Sequence, residues 1–377
     1  MNEVYITAVS KFLPNEPITN DRMEEKLGYI NGKPSKAKSI VLRNNKITTR
    51  YYAIAEDGTP SHSNAELAFE AIKNLINSGA VKEEDIELLS CGSSTPDQLL
   101  PSHASMIHGM FKHNVEINSA AGICTSGMNA LKFGYLSVLS GNTENAVCVG
   151  SEKLSSWMKA EKFNPEIENL TPLEENPIIA FEKDFLRWML SDGAGAVLLE
   201  NKPNGKTPLK IKWIHAISYA NELETCMYAG ALKNEDGTLK PWSDMDPKIW
   251  LDESVFSLKQ DIKILNSNVI QKGALSVKKA FEKHSFNKEE ITYFLPHISS
   301  FYFKDKLYEE LANLGLEIPE DKWFINLNKV GNVGAASSYL QLEELVNSGT
   351  LKKGDKIILA VPESGRFSYV NALLEVC

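Results

Sequence analysis

At 377 residues the chain exceeds what one hydrophobic core normally serves, so two domains or two packed halves are expected. Its 43% apolar and 24% charged content are those of a globular protein, and a net charge of −9 without a long basic block argues against a nucleic-acid groove or an anionic membrane surface. The longest apolar runs, such as 357–361, are strand-sized and far too short to span a bilayer.

The first residues, MNEVYITAVSKFLP, start acidic and then alternate like a strand, so they do not read as a leader peptide. Residues 64–78 (NAELAFEAIKNLINS) place Leu67, Ala71 and Leu75 on one helical face, and VKEEDIELLSCG follows as a turn and a strand. His103, His108 and His113 come next. Their spacing of five sets them apart around a helix without a carboxylate cluster, so no metal site is expected there. Residues 118–123 are strand-like and small and 126–139 are helical, which puts Cys124 at a strand-to-helix turn. Cys148 lies inside the strand at 146–150 with no polar company.

Two stretches lack clean periodicity. Residues 155–185 carry three prolines among acids, and 220–257 are rich in Trp, Met and Asp; loops of this length inside a compact protein are usually covers or lids. A helix ends over 277–284 and is followed by FNKEEITYFLPH, which sets His297 at the C-terminal end of a strand. The tight turn KVGNVGAAS, holding Asn332, then leads into a helix, an SG stop and the strand IILAV. The five cysteines (Cys91, Cys124, Cys148, Cys226, Cys377) are odd in number and contain no CxxC pair, so a reduced, cytoplasmic setting is the simplest reading.

Alternation of apolar runs with amphipathic helices indicates an α/β protein. The helix, KEE turn and strand at 64–92 recur at 277–297, and GMNALKFGYLSVLSGNTENAVCVGSE is echoed by GAASSYLQLEELVNSGTLKKGDKIILAVPES. Superposing Ser140 and Gly141 on Ser348 and Gly349 carries Cys124 onto Asn332; the KEE echo carries Cys91 and Gly92 onto His297. An internal duplication is expected, with halves at 1–200 and 206–377, whose loops bearing Cys124, His297 and Asn332 would meet at the interface.

A thiol at a helix N-terminus feels the positive end of the helix dipole, which favours thiolate, and the unpaired N–H groups there can bind an oxyanion. Taken alone, Cys124 also fits a structural thiol, and Asn332 a capping residue. Together with His297 they fit acyl-thioester chemistry: a cysteine takes an acyl group while an imidazole and an amide hold a second carbonyl as it becomes an enolate. A Cys-His-Asn hydrolase uses the same three residue types, but no CGSCW-like stretch accompanies the cysteine.

At this point the chain resembles the thiolase-fold condensing enzymes of the β-ketoacyl-acyl-carrier-protein synthase III branch. The motifs are VSKFLPNEPITND, LLPSHASMI, AAGICTSGMNAL, SDGAGAVLL (191–199), LPHISS and NKVGNVGAAS. The resemblance implies a five-layered αβαβα fold built from two duplicated halves. It implies Cys124 as the acylated nucleophile and His297 with Asn332 as the decarboxylation pair. The backbone N–H groups of Cys124 and Ser364 are implied as the oxyanion hole. It also implies CoA or acyl-carrier-protein thioesters as substrates, no bound cofactor or metal, and a homodimer.

The chain departs from the family's pattern in several places. A glycine-rich loop near the C-terminus reads here Pro362-Glu363-Ser364-Gly365-Arg366-Phe367, so Glu363 and Arg366 either contact an unusual substrate or pair structurally. The histidine is followed by Ile298-Ser299-Ser300 rather than QAN, and no tryptophan stands near 39–43, where Arg43 is a candidate phosphate contact. Met128, Phe133 and Trp188 are candidates for lining the acyl pocket, with plain core as the other reading. These departures suggest lipid or polyketide-type secondary metabolism, such as dialkylresorcinol formation by joining two β-ketoacyl chains, rather than routine fatty-acid initiation. An acyltransferase forming an ester or amide with the same Cys–His pair, and a non-catalytic scaffold subunit, are the other readings.

Overall fold

The computed structural model describes residues 2–35, 37–162 and 186–377. The elements that position the site are, in chain order, strand β1 (Tyr5–Phe12), helix α1 (Asn64–Asn77), strands β2 (Leu88–Ser93) and β3 (Glu116–Ala121), helix α2 (Thr125–Ser140), and strands β4 (Asn145–Glu152), β5 (Gly193–Glu200) and β6 (Leu209–Ser218). Helix α3 (Ile262–His284), strand β7 (Tyr293–Pro296), helix α4 (Ser337–Asn347) and strands β8 (Lys356–Pro362) and β9 (Ser368–Val376) complete them.

Local signals explain the boundaries. Ser63 caps α1 in a capping box with Glu66, satisfying two of the N–H groups a helix start leaves open. The stripe of Leu67, Ala71 and Leu75 is fully buried. All six residues of β2 are buried, as befits a strand lying parallel between β3 and β4 with both faces covered. At the end of α2, Gly141 takes the left-handed conformation (φ 79°) that closes a helix C-terminus.

Nine strands form one sheet in the order β7-β8-β9-β6-β1-β5-β4-β2-β3. On one side of its middle, β3, β2 and β4 run parallel and β5 and β1 continue antiparallel. On the other side the same pattern repeats: Trp323 bridges to Phe294 of β7 in parallel, β7 and β8 are parallel, and β9 and β6 continue antiparallel. The two half-sheets join through a short β1–β6 ladder, Tyr5 with Lys210 and Ile6 with Leu209, so a continuous sheet replaces the two separate ones that a layered reading suggests.

Helices α2 and α4 lie between the half-sheets and touch strands of both, α1 covers the outer face of one, and α3 covers the other. The order helix, sheet, helix, sheet, helix is the five-layered α/β arrangement expected. Met128, Leu131 and Val138 of α2 and Tyr339, Leu342 and Leu345 of α4 pack with Val197, Leu359 and Leu374 in the largest core cluster. Each fully buried side chain of this size stabilises the fold by roughly 1.5–3 kcal/mol. Among the described residues no helix is long and apolar enough to cross a membrane.

The expected lids are partly ordered by their own short elements. Residues 155–162 form the turn of helix Ser155–Met158 and a 3-10 turn, while 163–185 lie outside the described residues. The 220–257 excursion contains the hairpin Ala231–Lys233 with Leu239–Pro241 and the short helix Pro247–Asp252.

Candidate active site

Cys124 is the N-cap residue of α2, set there because β3 ends in small residues and Gly122 (φ 147°) turns the chain. His297 follows directly on β7, its N–H donating to the Ala360 carbonyl at 2.9 Å. Gln341 of α4 donates to the Pro296 carbonyl at 3.1 Å, fixing the residue before it. Asn332 is clamped through its backbone: its N–H donates to Met189 O (2.8 Å) and its carbonyl accepts from Ser191 N (2.9 Å). Its Oδ1 accepts from Gly334 N at 2.9 Å, which leaves the amide Nδ2 to donate elsewhere.

These three residues line one cavity of about 460 Å³. Glu363, Ser364 and Arg366 line it beside them. Its walls are mainly apolar: Ile123, Leu154, Trp157, Met189 and Leu190 on one side, and Met227, Leu239, Leu258, Leu265, Val269 and Phe303 on the other. The 220–257 stretch therefore does cover the site, through Thr225, Met227, Tyr228, Ala229 and Leu239.

The electrostatics at Cys124 work against the helix dipole. Cys124 keeps part of its surface open to the cavity but lies deep below the outer surface, and burial pushes its thiol pKa well up, with the charges of Glu152 and Glu363 adding to the rise. Burial first, and then Glu152 and Glu363, favour the protonated thiol over the thiolate that the helix dipole favours. Burial also takes His297 down to about 4, so the imidazole is neutral at physiological pH and donates from one nitrogen only. Glu152, at the end of β4, is buried and pushed up by desolvation, although it accepts from Ser94 N and Oγ, Thr95 Oγ1 and Ala335 N. It ties the loop after β2 to the Asn332 loop.

Several expectations are corrected. Met128 is fully buried in the main core and Trp188 in the cluster around Met23 and Leu27, so neither faces the cavity: both sit on the side of their element that packs away from it. Phe133 is 39% exposed on α2, on the helix that packs against edge strand β3, and does not line the cavity. Arg43 is exposed on the helix Lys38–Asn45, which packs against the Phe301–Phe303 turn, and lies outside the cavity lining. Glu363 makes a structural pairing and lines the cavity as well: its Oε2 accepts from Ile123 N (3.3 Å) and from Thr125 Oγ1. Arg366 Nε donates to Leu223 O at 3.1 Å. Of the three histidines, His103 is buried with Nε2 2.8 Å from Ser151 Oγ, and His108 Nε2 lies 3.0 Å from His113 O.

Sequence reasoning missed Glu152 and the wall supplied by α3. Leu265, Val269, Gly273 and Val277 recur at helical spacing, a signal present in the sequence, but such a stripe cannot be told from ordinary core until the facing surface is known.

Comparison with known proteins places this architecture. The family model described as 3-oxoacyl-[acyl-carrier-protein] synthase III C terminal matches residues 281–374, and that described as thiolase, N-terminal domain matches residues 52–175. The β-ketoacyl-[acyl-carrier-protein] synthase III of Clostridium perfringens (strain SM101 / Type A) is 25% identical over all of both chains, and that of Clostridium beijerinckii is 26% identical, also over all of both. Among solved structures, the tetronic acid condensing enzyme AbyA1 superposes with a TM-score of 0.76 at 18% identity over 99% of each chain. Xanthomonas campestris OleA, solved with bound lauric acid and lauroyl-CoA, superposes at 0.75 with 19% identity over 100% of this chain and 99% of its own.

Proposed function

Within the synthase III-like condensing enzymes of the thiolase fold, to which this chain belongs, we propose that it forms a carbon–carbon bond between two acyl thioesters through an acyl group held on Cys124. The observation that carries this reading is the convergence of Cys124, His297 and Asn332, from three distant segments, on one mainly apolar cavity.

In the first half-reaction the Cys124 sulfur attacks the thioester carbonyl, its proton leaves with the departing thiol, and an acyl-enzyme forms. The N–H of Cys124 and that of Ser364 hold the oxyanion. In the second, a malonyl- or β-ketoacyl thioester enters with its carbonyl oxygen held by neutral His297 and the Asn332 amide. Loss of CO₂ from a malonyl thioester, or of an α-proton to solvent from a β-ketoacyl one, gives an enolate; it attacks the acyl carbonyl, the carbon–sulfur bond breaks, and the released Cys124 thiolate takes up one proton from solvent to return to the thiol. A neutral imidazole suits this task, because it donates to the enolate oxygen without contributing a permanent charge to the ground state.

The acyl donors are CoA or acyl-carrier-protein thioesters, and a cavity of about 460 Å³ within the usual range of small-molecule sites is far larger than a two-carbon starter fills. That size supports a medium or long chain and a role in lipid or polyketide-type secondary metabolism, such as dialkylresorcinol formation. We also propose a homodimer. Among the described residues strand β3 is a free sheet edge with mostly exposed residues, and Ile117 on it, Phe133 and Leu136 on the helix beside it, and Leu99 and Leu100 in the preceding loop are exposed apolar groups. A second copy of the chain, pairing edge to edge about a twofold axis, satisfies the edge and covers the patch.

The test is intact-protein mass spectrometry after incubation with a panel of acyl-CoA and acyl-carrier thioesters. One or more donors add a single acyl mass to the wild type, and Cys124→Ala stays unmodified. Equal acylation of the alanine variant rejects the assignment.

A further inference from the structure

The nucleophile turn is held by a side chain that none of its own segment supplies. Glu363, on the loop between β8 and β9, reaches across to accept from Ile123 N on one side of Cys124 and from Thr125 Oγ1 on the other. The loop is pressed against this turn: a Cβ added at Gly365 would lie 2.7 Å from Ile123 Cδ1 and 3.1 Å from Glu363 Oε1. The carboxylate is not offset by a cation, since among the described residues no lysine or arginine pairs with it. Arg366, three residues on, directs its Nε to the Leu223 carbonyl instead.

We propose that Glu363 is the positioning residue of the nucleophile: it braces the turn on both sides of Cys124 and sets a negative charge beside the sulfur. The proposal rests on the reading of Cys124 as the acyl acceptor. The charged and titratable groups that face the sulfur are Glu363 from the β8–β9 loop, Glu152 from the end of β4, and His297 from the end of β7, with the N-terminus of α2 behind it. Glu152 is spread over five donors from the end of β2, the loop after it and the Asn332 loop, whereas Glu363 bonds the turn itself. Removing the Glu363 charge takes away one of the contributions that oppose the α2 N-terminus, with burial and Glu152 still in place. The consequence is protection: a buried thiol beside a negative charge resists alkylation and oxidation at rest.

The sign follows directly. A nearby negative charge disfavours thiolate, so neutralising it lowers the pH at which Cys124 ionises. The experiment measures the rate of iodoacetamide alkylation at the Cys124 peptide, by mass spectrometry across pH 6 to 10, in the wild type, Glu363→Gln and Glu363→Asp. Glutamine keeps an acceptor oxygen for the turn and removes the charge; aspartate keeps the charge. The expected result is a rising alkylation profile displaced about one pH unit towards lower pH in Glu363→Gln across this range. Because a weaker base is also a weaker nucleophile, the rate at pH 7.5 rises about threefold rather than tenfold. Glu363→Asp follows the wild-type profile. Coincident profiles for the wild type and Glu363→Gln overturn the proposal, and so does a Glu363→Asp profile that follows Glu363→Gln, since charge is then not the cause. Thermal melting of each variant shows that the comparison is made on folded protein. The readout needs no substrate, so an altered alkylation profile in a protein that no thioester acylates rejects the proposed function alone, and an unaltered one in a protein that is acylated rejects this inference alone.

Discussion

In the reaction proposed above, Cys124 and the pair His297 and Asn332 have separable tasks. Exchange of the acyl group onto sulfur needs the thiol and the backbone donors; formation of the enolate needs the imidazole and the amide. His297→Asn and Asn332→Ala are therefore expected to load Cys124 at close to the wild-type extent while condensation falls by on the order of 10²–10³-fold, the usual effect of removing one oxyanion donor. Loading is read by intact mass and condensation by product analysis with a second thioester. Loss of loading in step with condensation would show that the tasks are not divided. At this scale the sequence is informative about identity and silent about state. Cys124 stands out beside Cys148, which is buried in a strand, because it opens a helix. What favours its protonated form is burial, with Glu152 and Glu363, which arrive from other elements, adding to it.

The elements fit around the carbonyl of Ala335, in the loop that follows Asn332. A Cβ added at Gly127 of α2 would lie 2.1 Å from that oxygen, and one at Gly150 of β4 2.3 Å. In an isolated helix, Gly→Ala is stabilising by about 1 kcal/mol. Here Gly127→Ala is expected to destabilise the protein by about 2 kcal/mol, because the loop must retreat from a packed site, and to weaken condensation by displacing Asn332. Calorimetry decides: a melting temperature raised by the substitution refutes the account. We also propose that 1–200 and 206–377 are two copies of one unit, supported by the repeated strand order and direction on the two sides of the sheet. The echo was visible in the sequence at the SG stops, where turn chemistry is conspicuous. The counterpart of β3 was not, because it has shrunk to one bridge between Phe294 and Trp323.

For the whole molecule, the free edge at β3 is the feature with the largest consequence. A chain of 41.9 kDa is expected to run at twice that mass by light scattering, and Ile117→Lys combined with Phe133→Glu to return it to the single-chain mass. A wild type of single-chain mass, or an unchanged double variant, rejects the dimer. Phe133 illustrates why residue-level reading alone goes astray here. An apolar residue near a nucleophile suggests a pocket, yet its helix turns that side chain to the sheet edge, 39% exposed.

The sequence by itself determined the alternating α/β plan, the helix starts and stops and the three polar residues of the site, because each rests on local spacing, capping chemistry or a motif that survives without its neighbours. The tertiary structure alone decided which apolar residues line the cavity, that two half-sheets join as one, and that burial with Glu152 and Glu363 beside it raises the Cys124 thiol. Those outcomes depend on which faces meet and how far charges lie from one another, and distance between residues remote in the chain is not written in their order.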